Sequence, residues 1–345
     1  MSLSQNEIFL VYAALGLVLG LAFERGRFCF VSAFRDVHLF RNPWLLDGIL
    51  VSIGAGAVGT SLLIIAMGIH PLLLGTSWYI LVGAVMFGFG VSLAGACASG
   101  MLFRIPEGYV ANMFELLGFS AGMLIWAEYL FIPLSKDYGA PVSIPSLLGI
   151  PAGVYGLVTG AAFLLAGLYL NRYVPRGKSG SHLSWTLDPR RSWDPRLVGL
   201  LLASVQVVMF AITPNSLLGF TAPFATLGAW VMMAAGADLK AVPWVGSDYL
   251  GLYPLMVLTI AAFVGSGIGA LLGGDFRVRV PAKRRRLVQA LIGGVIAGLG
   301  AGIGLGCNVG NFYTGLSLRM DLAALLFAPG MIGGILLGEK VGERL

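Results

Sequence analysis

The sequence has few charged residues and few of the side chains that build metal or disulfide sites. Only 11% of its 345 residues are charged, whereas soluble globular proteins carry about 25%. Its three cysteines, Cys29, Cys97 and Cys307, lie far apart and form no C-x-x-C pair, which argues against a disulfide framework and a zinc or iron–sulfur site. The three histidines fall in loops or near the ends of apolar segments. The sequence therefore predicts neither a soluble fold nor a bound metal.

Apolar residues and glycine are abundant instead. Hydrophobic residues make up 57% of the chain, which also has 50 glycines, and the mean hydropathy is +0.87. Glycine-rich runs such as 298–302 lie within apolar segments, so they indicate close helix packing rather than a nucleotide loop, and no cofactor is predicted. The net charge of +6 comes from basic residues between apolar segments, which favours contacts with membrane lipid over nucleic acid. We expect an all-α, polytopic membrane protein.

Nine apolar segments are long enough, or nearly so, to cross a hydrocarbon core, which needs about 20 helical residues. They are 8–23, 44–69, 78–96, 110–133, 149–171, 196–213, 251–273, 287–306 and 321–338. Other apolar segments are too short or too interrupted to cross, and are predicted to be re-entrant. They are 28–36, 97–104, 214–222, 223–236 and 307–317.

The distribution of basic residues predicts the orientation of these spans. With the N-terminus outside and the C-terminus in the cytoplasm, all but three of the 22 Lys and Arg residues fall on the inner side; the exceptions are Lys136, Lys240 and Arg319. A tenth span at 223–236 would place either the basic loop at 172–196 or that at 275–286 on the outer side. The sequence therefore predicts nine spans, with the N-terminus outside and the C-terminus inside.

The order of the predicted spans and short segments contains an internal repeat. Residues 1–140 and 196–345 each read as span, short segment, two spans, short segment and span, with a connecting helix and a basic cytoplasmic loop in 141–195. Because five spans precede the second unit, it enters the membrane from the opposite side. A Cys-x-x-Gly sequence occurs at equivalent places, Cys97–Gly100 and Cys307–Gly310. Two inverted-topology halves are expected.

All three cysteines lie in the interrupted segments, where non-spanning backbone is tolerated if it lines a wet path or is buried in protein. A cysteine is also a small hydrophobe that is commonly buried, and this second reading stays open. On the first reading, an anion passes Cys307, then Cys97 and Cys29, whose mutual order is open. The predicted path residues are Cys29, Cys97, Cys307, Gly95, Ser99, Gly100, Gly306, Asn308, Gly310 and Asn311.

Arg25, Arg27 and Arg104 flank the cysteine segments on the predicted inner side. They either attract an anion from the cytoplasm or serve as topology signals, which the positive-inside rule explains without any ligand. Arg319, near the outer side, is either an entry attractor or an interface anchor.

At these residues the sequence resembles the YeeE/YedE family of bacterial inner-membrane sulfur-compound transporters. The matching motifs are Arg27–Phe30, Ala94–Gly100 and Gly304–Asn311, and the resemblance extends over essentially the whole chain. It implies an hourglass-shaped helical protein in which short segments of both halves meet at a constriction, and thiosulfate uptake past Cys29, Cys97 and Cys307. It also implies a separate sulfurtransferase of the TusA type as partner.

Two other functions remain open from the sequence. Some members of the family are linked to selenium metabolism, so transport of a selenium compound or another sulfur oxyanion shares every feature above. A membrane thiol-dependent enzyme would need a paired or activated cysteine, and the sequence shows no C-x-x-C pair or adjacent base. The prediction is a transporter without catalytic residues.

Overall fold

The structure is a computed structural model that describes residues 4–170, 172, 187–234, 236 and 253–344. Within these residues, nine helical segments are long and apolar enough to cross a membrane, which confirms the predicted multi-pass helical protein. Their main helices are α1 Gln5–Gly26, α3 Trp44–Met67, α4 Tyr79–Ala94, α6 Val110–Ile125, α9 Ala152–Leu170, α10 Pro195–Ile212, α12 Pro254–Leu272, α13 Arg284–Ile303 and α14 Leu322–Arg344. Three of the basic residues counted for orientation, Arg176, Lys178 and Lys240, lie outside the described residues.

Shorter helical pieces separate these spans. The short α-helices are α2 Phe30–Phe40, α5 Ala98–Arg104, α7 Phe131–Ser135, α8 Ile144–Leu148 and α11 Thr221–Ala234. The π-helical pieces are Trp126–Leu130, Asn308–Tyr313 and Gly315–Arg319. With 14 residues, α11 is too short to span, as predicted for 223–236, whereas most of 214–220 is irregular backbone.

Local sequence explains several helix ends. The Ser4 side chain accepts a hydrogen bond from the backbone of Glu7, whose carboxylate accepts from the Ser4 backbone, forming a capping box at the start of α1. Asp194 caps α10, which has Pro195 in its first turn, where a missing N–H does no harm. α4 ends at Gly95, whose φ of 101° suits glycine and turns the chain toward α5.

Glycine-lined contacts join the spans. α1 packs on α12, α3 on α10, α4 on both α13 and α14, and α6 on α13, while α9 packs against α3 at one side of the bundle. At the first contact, a Cβ built on Gly20 would lie 1.9 Å from the carbonyl oxygen of Ala262. At the second, a Cβ on Gly199 would lie 2.4 Å from the carbonyl oxygen of Gly48. The abundant glycine thus lets backbones approach where lipid supplies no hydrophobic force between helices.

Candidate functional site

Each cysteine occupies the position just before a short helix. Cys29 precedes α2, Cys97 precedes α5, and Cys307 precedes the π-helical piece Asn308–Tyr313, in each case with extended backbone. All three thiols are free and buried. The interrupted segments therefore place every cysteine at a helix break inside the protein, where backbone amides of the following helix also begin.

The breaks bring two of the thiols into contact. The Sγ atoms of Cys29 and Cys97 lie 3.3 Å apart, although 68 positions separate them in the chain. Cys97 Sγ also lies 3.1 Å from Ser99 Oγ and 3.6 Å from Asn308 Nδ2. Sequence spacing gave no sign of this thiol pair, because the contact depends on how α2 and α5 meet.

Glycines leave space beside the sulfur atoms. A Cβ on Gly100 would lie 3.1 Å from Cys29 Sγ and 3.8 Å from Cys97 Sγ, closer than ordinary contact for the first atom. A Cβ on Gly310 would lie 3.9 Å from Cys307 Sγ, an ordinary contact distance. In the first Cys-x-x-Gly sequence, glycine therefore avoids a close contact between a side chain and Cys29 Sγ. In the second, a Cβ at Gly310 would make only an ordinary contact with Cys307 Sγ.

Two arginines satisfy the broken end of α4. Arg104 Nη1 donates to the Gly95 carbonyl at 2.6 Å, and Arg286 Nη1 donates to the Leu93 carbonyl at 2.8 Å. Arg286 Nη2 also donates to the Ala94 carbonyl. These bonds replace partners that a helix end lacks inside a membrane protein. Arg104 is thus a capping residue as well as a predicted anion attractor.

Asn311 has a similar role at the end of α13. Its Nδ2 donates to the Gly304 carbonyl at 2.6 Å, and its Oδ1 accepts a hydrogen bond from buried Arg319. Arg319 Nε lies 3.0 Å from Asp321 Oδ2. The predicted path residue Asn311 therefore contacts a backbone carbonyl and a guanidinium, and Arg319, expected near an outer surface, is almost fully buried.

The remaining predicted arginines differ in their surroundings. Arg25 is buried and bound to the carboxylates of Glu24 and Asp275. Arg27 is about half exposed, with Nη2 at 3.0 Å from Glu107 Oε1. Burial raises the pKa of the loop carboxyl Glu107, and the charge of Arg27 opposes that rise. Each of these two arginines pairs with two carboxylates, but Arg25 is buried, so of this pair only Arg27 also faces open space.

A cavity of about 320 Å³ lies next to the thiol pair, at the end of the molecule that holds Arg27 and Arg104. Its lining residues are Gly26, Arg27, Ser32, Arg35, Asp36, Trp44, Leu45, Phe103, Arg104 and Tyr109. Ser32 lies in the first turn of α2, three positions after Cys29, so the helix that begins at Cys29 also supplies part of the cavity wall. The sequence reading missed Arg35, although its position three residues after Ser32 places both on one face of α2.

Within the residues that the structure describes, no group of three or more His, Cys, Asp or Glu side chains is arranged to hold a metal ion. The site is instead made of thiols, a serine hydroxyl, an amide and glycine backbone, with arginines at one end. Such a site offers weak hydrogen bonds and positive charge, which suits passage of an anion.

Comparison with known proteins agrees with that chemistry. The profile of a family described as sulphur transport matches residues 25–337. A thiosulfate transporter TsuA from Spirochaeta thermophila is 28% identical over 344 residues, covering 91% of this chain and 94% of that protein. A thiosulfate transporter TsuA from Escherichia coli K12 is 28% identical over 92% of this chain and 88% of its own length. The probable transporter YedE of the same strain is 32% identical over 33% of this chain and 28% of its own length.

Proposed function

We propose, from the premise that the chain belongs to the sulphur transport family, that it carries thiosulfate into the bacterial cytoplasm along a path lined by Cys29, Cys97 and Cys307. The proteins named thiosulfate transporters that match about nine-tenths of the chain support this substrate. The observation that carries the proposal is the contact series formed by Asn308, Cys97 and Cys29, which links both halves of the chain.

The order of the contacts supports the order Cys307, Cys97 and Cys29 along the proposed path. Cys307 and Asn308 begin the second-half segment, Asn308 touches Cys97, and Cys97 touches Cys29, which begins the helix whose Ser32 and Arg35 line the cavity. A neutral thiol donates a weak S–H hydrogen bond that suits the soft terminal sulfur of thiosulfate. Several weak sites in succession favour passage over trapping, because the ion must leave as well as enter.

The helix contacts support two inverted halves that form an hourglass. If α1, α3, α4 and α6 correspond to α10, α12, α13 and α14, the contact of α1 with α12 becomes that of α10 with α3. The contact of α6 with α13 likewise becomes that of α14 with α4, and the contact of α4 with α13 maps onto itself. This exchange is what a twofold relation between the halves requires.

Uptake needs an energy source or a sink. Two negative charges moving inward oppose the membrane potential by about 4.6 kcal/mol per 100 mV. Removal of thiosulfate inside the cell supplies a sink, and a separate sulfurtransferase of the TusA type is the proposed consumer. The arginine-lined cavity fits the cytoplasmic end of such a path, with the N-terminus outside and the C-terminus in the cytoplasm.

A growth experiment tests the proposal. A bacterial strain without its own thiosulfate uptake is grown on thiosulfate as sole sulfur source with the wild type, with Cys97→Ala at equal expression, or with empty vector. We expect growth with the wild type only, because the variant removes the thiol that contacts Cys29, Ser99 and Asn308. Growth of all strains on cysteine controls for viability.

Other outcomes separate the alternatives. Equal growth of the strains with wild type and with Cys97→Ala would contradict a role for Cys97 in the path. Absence of growth with either protein would favour a selenium compound or another sulfur oxyanion, which competition against labelled substrate then identifies.

A thiol-dependent reaction is the second candidate, favoured by the pairing of Cys29 with Cys97. A thiolate that attacked the outer sulfur of thiosulfate would become a persulfide and release sulfite. Purified protein in detergent, mixed with thiosulfate, would then produce sulfite without any membrane compartment. Transport predicts no sulfite under these conditions.

A further inference from the structure

The cavity beside Cys29 contains more positive than negative charge. Three arginines, Arg27, Arg35 and Arg104, line it against one carboxylate, that of Asp36. Two of these cations already have partners: Arg27 pairs with Glu107 and Asp275, and Arg104 donates to the Gly95 carbonyl. The arrangement resembles an anion site whose fixed cations are held in place by the protein.

Arg35 is the exception. It makes no hydrogen bond or ion pair with the part of the chain that the structure describes, and it is partly buried in the cavity wall. The adjacent Asp36 carboxylate partly balances its charge, but no described acceptor forms a hydrogen bond with it, so its N–H groups remain available to the oxygens of a ligand. Its five N–H groups suit the oxygens of a tetrahedral oxyanion.

We propose that this cavity is a second binding site, for a divalent sulfur oxyanion such as thiosulfate or sulfate, with Arg35 as its principal cation. The proposal rests on the proposed transport function for the assignment of the cavity to the cytoplasmic side. Anion leaving Cys29 enters this site first, and cytoplasmic anion reaches the same site from the other direction. Internal anion therefore competes with release and slows uptake.

The size and lining of the cavity agree with a weak site. Its volume of about 320 Å³ equals that of roughly ten water molecules at about 30 Å³ each, so an anion keeps part of its hydration shell. Ser32 and Tyr109 add hydroxyl groups to the wall, and Trp44 adds an indole. A partly hydrated ion held by one principal cation leaves readily, as an exit station requires.

Equilibrium binding tests the site without requiring transport. Full-length protein in detergent is dialysed against ³⁵S-labelled thiosulfate or sulfate, as wild type, Arg35→Gln or Arg41→Gln. Arg41 is the matched control, because it ends the same helix, is exposed and does not line the cavity. We expect Arg35→Gln to weaken binding of both anions about tenfold, the usual loss for a charged hydrogen bond, and Arg41→Gln to leave it unchanged.

Two further variants make the result specific. Arg35→Lys keeps the charge and should recover part of the affinity, which a loss of folding in Arg35→Gln would not explain. In the Cys97→Ala background, the difference between Arg35→Gln and Arg41→Gln should persist, because the cavity site does not need that thiol. Equal affinity of Arg35→Gln and wild type for both anions would overturn the proposal.

Uptake into right-side-out vesicles distinguishes this proposal from the proposed function. Vesicles loaded with unlabelled sulfate should show slower initial uptake of labelled thiosulfate with the wild type, and Arg35→Gln should need about tenfold more internal sulfate for the same slowing. Arg35-dependent binding without any uptake would contradict the transport function and keep the anion site. An initial uptake rate that does not change with internal sulfate would contradict competition at the cavity, and hence its role as the site through which the anion leaves.

Discussion

At the residue scale, two glycines leave space beside the sulfur atoms of the cysteines. Gly100 has no side chain at the point where one would meet Cys29 Sγ, and Gly310 faces Cys307 with more room. Arg25 and Arg27 have equivalent roles in the sequence prediction, but their surroundings in the structure differ. Arg25 is enclosed by two carboxylates, whereas Arg27 borders the cavity. Exposure, rather than residue type or the number of carboxylate partners, separates the cavity-facing arginine from the buried one.

The first prediction concerns Gly100→Ala. The added methyl would lie 3.1 Å from Cys29 Sγ and also 3.1 Å from the Ala96 Cβ, so the thiol pair must move. We expect thiosulfate uptake to fall about tenfold, equivalent to about 1.4 kcal/mol in the barrier. Uptake of labelled thiosulfate into vesicles measures the effect.

Gly333→Ala is the matched control for Gly100→Ala. Gly333 lies in α14, outside the predicted path, and a Cβ added there would meet no neighbouring atom within 4 Å. Uptake close to wild type is expected. Equal losses in both variants would contradict a role for the space beside the Cys29–Cys97 pair.

At the scale of elements, the broken helices require partners for their terminal carbonyls. Arg104 and Arg286 serve the end of α4, and Asn311 serves the end of α13. The sequence indicated the breaks through its short, interrupted apolar segments, but it did not indicate these caps. Arg286 looked like one basic residue in a run of similar ones, and only the packing of α13 against α4 brings it to the Leu93 carbonyl.

The second prediction concerns Arg286→Ala. Loss of its side chain removes the donors to the Leu93 and Ala94 carbonyls, and an unsatisfied buried acceptor costs about 1–3 kcal/mol. We expect Arg286→Ala to lower the Tm of the protein in detergent, measured by tryptophan fluorescence. Arg285→Ala removes an equal charge from an exposed neighbouring position and should leave Tm nearly unchanged. If Arg285→Ala lowers Tm as much, net charge rather than capping explains the effect.

At the scale of the whole molecule, the glycine-lined helix contacts and the helix breaks at the cysteines agree with the proposed arrangement of two inverted halves. The spans α1, α3, α4 and α6 pack on α10, α12, α13 and α14, which is the pairing that the proposed inverted halves require. The cysteine segments of both halves then meet, as the contact of Asn308 with Cys97 shows. α9 stands apart, with few of its residues buried and α3 as its main neighbour.

The third prediction concerns orientation. A fluorescent protein that folds only in the cytoplasm should fluoresce when fused to the C-terminus. Alkaline phosphatase, which is active only outside the cytoplasm, should be active when fused after Asp137, between α7 and α8, and inactive at the C-terminus. The reverse pattern would contradict an outer N-terminus and a cytoplasmic C-terminus, and would assign the arginine-lined cavity to the outer side.

The sequence alone determined the class of protein, its nine apolar spans and the places where helices break. These follow from local composition, since about 20 apolar residues form a span and glycine or a change of period interrupts it. It also singled out the three cysteines, because each lies at such a break.

Only the tertiary structure decided which of these residues act together. The pairing of Cys29 with Cys97 and the grouping of Arg27, Arg35 and Arg104 around one cavity join segments far apart in the chain. Hydropathy records how each segment meets lipid, whereas contacts between helices depend on which faces pack together. One-dimensional periodicity does not contain that information, so the thiol pair and the free arginine became visible only in the folded molecule.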